Sequence, residues 1–208
     1  MATAAAKVKR GRKYDQVLEG ARTVFLRDGF EGASVDDIAR EAGVSKATLY
    51  SYFPDKRLLF LEVARSECAR QAASAIELQD MTAPPRDVLT AAARRLAGFV
   101  TSEFGQRMFR ICVAESDRFP ELGRAFYESG PLLVRQRLVS YLRAATARGE
   151  LQIDDFDLAA DQFAELCKAD IHARAIFARN GGCAARDIDR TSAGAVDMFL
   201  ARYGTRQA

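Results

Sequence analysis

Residues 34–57 read SVDDIAREAGVSKATLYSYFPDKR. No other stretch constrains the fold as tightly, because two short helical periodicities flank a single glycine. Ser34 with an acid three residues on resembles a capping box, with Asp37 in place of the preferred Glu or Gln. Val35, Ile38, Ala39 and Ala42 recur at helical spacing and form an inner face. Gly43 can take positive φ and turn the chain sharply. Ser45 can cap a second helix, whose inner residues Leu49 and Phe53 lie four apart. Pro54-Asp55 closes that helix and opens another, with Asp55 as its N-cap.

The same period governs the rest of the chain. Val17, Leu18, Ala21, Val24 and Phe25 mark an amphipathic first helix that stops at Asp28-Gly29. Leu58, Leu59, Leu61, Val63 and Ala64 carry a long fourth helix toward about Leu78, and Thr82-Ala83-Pro84-Pro85 is a break. Val88 to Val100 and Met108 to Val113 are further helices, interrupted at Gly105. Phe119-Pro120 and Gly130-Pro131 punctuate the chain before a helix from Leu132 to near Gly149. Residues 153–157 read as a turn, 158–177 as a helix, Asn180-Gly181-Gly182 as a loop and 192–203 as a last helix. The expectation is all-α, about nine helices, with no strand-like alternation and no repeat. The expected divisions are a disordered basic arm over 1–11, a DNA-sized helical unit over 12–57 and a helical body over 58–208.

With 208 residues, 49% of them hydrophobic and 28% charged, the chain suits one large or two small soluble globular domains. The net charge of +3 does not announce a nucleic-acid partner, and it argues against nonspecific DNA compaction. Its distribution says more. Residues 1–60 hold 11 Lys/Arg against 8 Asp/Glu, and the remainder holds 20 of each. Lys7, Lys9, Arg10, Arg12 and Lys13 all precede the first acid, Asp15. Alone this is a solvated tail; beside a groove-reading helix it is a phosphate-contacting arm. Cys68, Cys112, Cys167 and Cys183 show no CxxC spacing, and the chain has one His, so neither a metal site nor a cofactor is expected. MATAAAKVKRGRK lacks the apolar segment of a secretory leader, and no run approaches the ~18 apolar residues of a membrane span. The expected location is the cytoplasm, with reduced thiols and no membrane partner.

A helix that enters the major groove needs one face packed on a support and another carrying short or hydrogen-bonding side chains. In residues 45–53, Leu49 and Phe53 supply the packing face. Lys46, Ala47, Thr48, Tyr50, Ser51 and Tyr52 are left for the groove and its walls. Lys46 can reach a guanine edge or a phosphate, and Ala47 and Thr48 can touch a thymine methyl. Tyr52, Lys56 and Ser34 are placed for phosphates. By spacing alone, a generic helical corner also fits.

The segments Ser34 to Ala39, Ala42 to Tyr50 and Tyr52 to Lys56, with Ala21, Phe25 and Gly29-Phe30 before them, resemble the DNA-binding segment of the TetR family of bacterial transcriptional regulators. The resemblance covers about residues 12–65. It implies a homodimer whose two recognition helices read a palindromic double-stranded operator. It also implies that Lys46, Ala47, Thr48, Tyr50, Ser51, Tyr52 and Lys56 face DNA, while Gly43, Leu49 and Phe53 hold the motif together. Arg118 to Leu122, Ala125-Phe126-Tyr127 and Gly130-Pro131 resemble one subgroup of the family's ligand domains, more weakly. Residues 158–177 and 192–203 then correspond to the last two helices, which build the dimer.

Such a regulator needs a second state, and an unknown small-molecule effector can favour it only through differential affinity. Phe99, Phe104, Met108, Ile111, Cys112, Phe126 and Phe163 are candidate lining for an apolar pocket, or simply core. Glu115 and His172 are polar residues in generally apolar helices and can orient a ligand, or are simply satisfied or exposed side chains. Oxidation of Cys112 or Cys183 is a rival signal. An enzyme or carrier retaining the motif as a scaffold would need a nucleophile–base pair, a metal cluster or a cofactor loop. The sequence has no HExxH, P-loop or GxSxG.

Overall fold

A computed structural model describes residues 11–76, 82–177 and 183–205, without the side chains of residues 68–76. The expected basic arm falls almost wholly outside these residues, as do the expected end of the fourth helix and the loop at 180–182. Eleven helices occupy the described chain: α1 (Arg12–Gly32), α2 (Val35–Glu41), α3 (Lys46–Tyr52), α4 (Lys56–Ile76), α5 (Pro85–Thr101), α6 (Glu103–Glu115), α7 (Pro120–Ser129), α8 (Pro131–Ala147), α9 (Phe156–Leu166), α10 (Ile171–Phe177) and α11 (Ala185–Tyr203). Among the described residues there is no strand, and a single antiparallel bridge joins Leu151 to Gly204.

The all-α reading stands, with more segments than the nine expected. Pro120 and Pro131 were expected to punctuate the chain, yet each opens a helix, α7 and α8. A helix's first turn has no use for the missing N–H, and the fixed φ suits it. The helix expected over 158–177 is divided by Asp170, which takes φ 62°. Aspartate tolerates that region better than most residues, but nothing in its sequence context marks it. The break expected at Gly105 falls instead at Ser102 (φ −66°, ψ 152°), whose Oγ accepts the Gly105 N–H and so caps α6. At Gly29 (φ 74°) α1 kinks where it was expected to stop, then runs one more turn.

Two cores form. The first joins Tyr14, Val17, Ala21, Val24, Phe25, Ile38, Leu49, Phe53, Leu59 and Phe60 of the N-terminal helices to Met108 and Cys112 of α6 and Leu122 of α7. The second gathers Leu89, Tyr141, Leu142, Phe163, Val196 and Phe199 from α5, α8, α9 and α11. Packing therefore does not divide the molecule at residue 58, because α6 and α7 share their apolar faces with α1 and α4. Such seams are hard to read from sequence, since periodicity gives a helix's buried face and not its neighbour.

Candidate nucleic-acid interface

The geometry of α2 and α3 is set by three local devices. Ser34 Oγ accepts the Asp37 N–H at 3.0 Å and caps α2. Its hydroxyl also donates to Asp37 Oδ2 at 2.5 Å. That hydrogen bond, seconded by Arg40, holds the Asp37 carboxyl below the ordinary carboxylate range. At the far end, Val44 N–H donates to Ala39 O (3.0 Å) and Gly43 N–H to Arg40 O (3.2 Å). This is a Schellman turn, and it needs the φ of 62° that Gly43 supplies. Ser45 Oγ then accepts the Thr48 N–H at 3.1 Å and starts α3.

Gly20, which carries no motif of its own, fixes the approach of α1 to this turn. A Cβ at residue 20 would stand 2.7 Å from the Ala42 backbone nitrogen. The signal in sequence was a glycine inside an amphipathic helix, where close backbone approach is one of few reasons to accept the loss of helix propensity.

The structure brings Lys46, Ala47, Tyr50 and Ser51 together on the exposed face of α3, with Leu49 and Phe53 buried behind it. Thr48 is half-buried at the edge of that face, its hydroxyl 2.9 Å from Ser45 Oγ. Ser51 Oγ donates to Thr48 O at 2.6 Å. Tyr52 is half-buried, its ring edge-on to Tyr14 at 5.7 Å. Tyr14 also stacks near Phe53 (5.3 Å) and donates to Glu62 Oε1 (2.8 Å), so one side chain ties α1, α3 and α4 together. Ser34 is exposed at the start of α2. Lys56, expected to face phosphate, is occupied differently. Its ammonium donates to Phe30 O (2.7 Å) and Ala33 O (3.1 Å), bracing α4 against the corner between α1 and α2.

The N-terminal unit matches the model of the tetR family of bacterial regulatory proteins over residues 17–63. Residues 87–205, more than half the chain, match the C-terminal domain of AefR-like transcriptional repressors. The chain belongs to the TetR family. It is a DNA-binding transcriptional regulator and not an enzyme. It superposes on a TetR-family transcriptional regulator from Mesorhizobium loti MAFF303099 with a TM-score of 0.87 and 31% identity, over 93% of this chain and 98% of that one. The flavonoid-responsive regulator FrrA is 34% identical, with a TM-score of 0.75 over 95% of this chain and all of the other (100%). The transcriptional repressor AcnR from Corynebacterium diphtheriae is 38% identical over 76 residues, 34% of this chain and 40% of AcnR. The chain thus spans less than half the length of that curated relative.

In this TetR-family chain, the nine residues expected around an effector are spread over the two cores and the helices beside them. Met108 and Cys112 are sealed in the first core, with Phe104, Ile111 and Phe126 packed against it. Phe163 belongs to the second core, edge-on to Phe199 at 5.2 Å. Phe99 faces Phe104 at 6.4 Å, across the joint between α5 and α6. His172 meets Phe109 edge-on at 4.9 Å, and burial holds its pKa below the ordinary imidazole value. Glu115 closes α6, its carbonyl accepting the Phe119 N–H at 2.7 Å. A separate cleft of about 320 Å³ opens between α1 and α4, lined by Leu18, Glu19, Arg22, Val63, Ser66 and Glu67. Arg22 spans it, 3.3 Å from the buried Glu67 and 5.6 Å from the Phe104 ring. Sequence spacing gave no sign of this pair, because the two residues meet only through the packing of α1 on α4.

Among the described residues, no helix is long and apolar enough to cross a membrane.

Proposed function

We propose that the protein is a homodimeric repressor that leaves a palindromic operator when a small apolar effector binds. The observation that carries this reading is the exposed face of α3, where Lys46, Ala47, Tyr50 and Ser51 stand clear of a buried Leu49 and Phe53. Thr48 and Lys46 read base edges, Tyr50 and Ser51 line the groove, and Ser34 and Tyr52 meet the phosphate walls. Residues 12–57 serve the DNA, residues 58–208 the effector and the partner subunit, and the protein acts in the cytoplasm.

The dimer forms through the helical stretches 158–177 and 192–203, chiefly α9 and α11. Leu158 and Met198 support this, because each leaves a large apolar side chain more than half exposed on those helices. The effector enters the seam between the two cores, beside Phe99, Phe104, Phe126 and His172. Displacing α6 and α7 there would drag α4, with which they share a core. Half-sites must match the spacing of the two α3 helices to a helical turn, so a shift of a few ångströms weakens binding. FrrA is flavonoid-responsive and is similar along nearly the whole chain, which makes flavonoids the first effector class to try.

The test is fluorescence anisotropy on a duplex selected from a randomised library, with sedimentation to count subunits. Sequence-specific binding by a dimer, weakened by one member of a flavonoid and fatty-acyl panel, is the expected result. A monomer on the selected duplex, or binding that every compound leaves unchanged, would overturn the dimer or the switch respectively.

A further inference from the structure

The sequence of α3, KATLYSY, contains one charged side chain, Lys46. Its ammonium lies 2.5 Å from Asp36 Oδ1 on the adjoining helix, and both side chains are more than half exposed. The neighbouring acids are engaged elsewhere: Asp37 by Ser34 and Arg40, Asp55 by Arg57. Among the described residues, Lys46 is the one cation within ion-pair distance of Asp36. The single cation of α3 thus stands beside an exposed carboxylate of the adjoining helix.

We propose that Asp36 is a positioning residue that sets the specificity of DNA binding. It holds Lys46 toward base edges and opposes the phosphate backbone wherever Lys46 has no base to meet. The proposal rests on the reading that α3 enters the major groove. An exposed ion pair is weak, so the DNA decides what becomes of it. An ammonium has three donors. At a matched site Lys46 can give one to a guanine acceptor and keep another on Asp36. On unmatched DNA a phosphate recruits Lys46, and Asp36 is left uncompensated beside a polyanion. The carboxylate thus disfavours unmatched sequence more than matched sequence, which is discrimination by repulsion.

The experiment compares wild type, Asp36→Asn, Asp36→Glu, Lys46→Ala, Asp36→Asn with Lys46→Ala, and Ala47→Asp, each confirmed as folded by its thermal unfolding midpoint. Two duplexes are titrated across a salt series: one selected by the wild-type protein from a randomised library, and one of mixed sequence. Asp36→Asn should tighten the mixed duplex about three- to ten-fold and the selected one less than about two-fold. That gain on the mixed duplex should shrink as salt is raised, the mark of a relieved repulsion. Asp36→Glu should keep the wild-type ratio, and the double variant should bind both duplexes more tightly than Lys46→Ala and by the same factor, because the uncompensated carboxylate is gone. For Asp36→Asn, equal changes on both duplexes, or no change on either, would overturn the role given to Asp36. Ala47→Asp separates the two ideas. If it loses binding while Asp36→Asn leaves the ratio unchanged, α3 meets DNA and only the role of Asp36 falls. If Ala47→Asp binds like wild type, the groove reading falls and the proposal with it.

Discussion

The Lys56 ammonium lies 2.7 Å from the carbonyl oxygen of Phe30 and 4.6 Å from the centre of the same residue's ring. One side chain thus binds two carbonyls at the C-terminal end of α1 and contacts the aromatic face beneath them. Lys56→Met keeps the aliphatic stem and removes the charge-assisted bonds. It should lower unfolding stability by about 1–3 kcal/mol. A strut would leave the salt slope of DNA binding unchanged, whereas a phosphate contact would reduce it by about 0.9. Denaturant titration together with a salt series distinguishes the two.

Gly20 and Ala42 make a tight helix crossing in the N-terminal unit. Gly20→Ala places a Cβ 2.7 Å from backbone, which no rotamer change relieves. A loss of about 1–3 kcal/mol is expected from overpacking. Ala42→Gly should restore only part of it, because the Ala42 nitrogen and Cα remain in the way. The unfolding midpoint of each variant measures this.

Gly43 turns the chain between α2 and α3 at φ 62°. Gly43→Ala should cost about 1–2 kcal/mol, and Gly43→Asn less, since asparagine tolerates the left-handed region. Ser45→Ala removes the cap on α3 and should cost about 1 kcal/mol. Both should weaken specific DNA binding, because each loosens the angle at which α3 is presented. Circular dichroism on melting and anisotropy on the selected duplex provide the two measurements.

His172 is half-buried against Phe109, and its pKa is lowered first by desolvation and then by Lys168. The folded protein therefore favours the neutral ring more than the unfolded chain does. This contribution is present above the ordinary value of 6.5 and is lost as pH falls through the depressed folded value. Wild type should lose stability on acidification in that window, and His172→Phe should lose less of it. Denaturation midpoints measured between about pH 7.5 and pH 5 give the comparison.

Cys167 is fully buried, and desolvation pushes its thiol up to about 12. A thiol reagent at neutral pH should reach it only after unfolding. Cys112 is 3% exposed and should behave alike. Cys183 is half-buried, its sulfur 3.4 Å from Ile171 O, and should be modified first. Retained operator binding after peroxide treatment would set the redox signal aside, and its loss in wild type but not in Cys183→Ser would revive it. Mass spectrometry of the modified native protein orders the three sites.

Ser34, Gly43, Ser45 and the Leu49–Phe53 spacing each act within a few residues, through caps, one positive φ and a helical period. For that reason α2, the turn and α3 are legible in the amino-acid order alone. The face of α3 that includes Lys46, Ala47, Tyr50 and Ser51 follows from the same period. A local cue with two physical meanings misleads: Pro120 and Pro131 can end a helix or begin one, and Asp170 gives no hint of its left-handed backbone. The remaining relationships come from tertiary packing. It turns Lys56 onto the Phe30 and Ala33 carbonyls, sets Asp36 against Lys46, puts Gly20 under Ala42 and joins Arg22 to Glu67. It also sends Phe163 to a different core from Met108 and Cys112. One cause underlies all of these. Periodicity specifies which face of a helix avoids water, while the choice of partner for that face depends on how the whole set of helices closes around its cores.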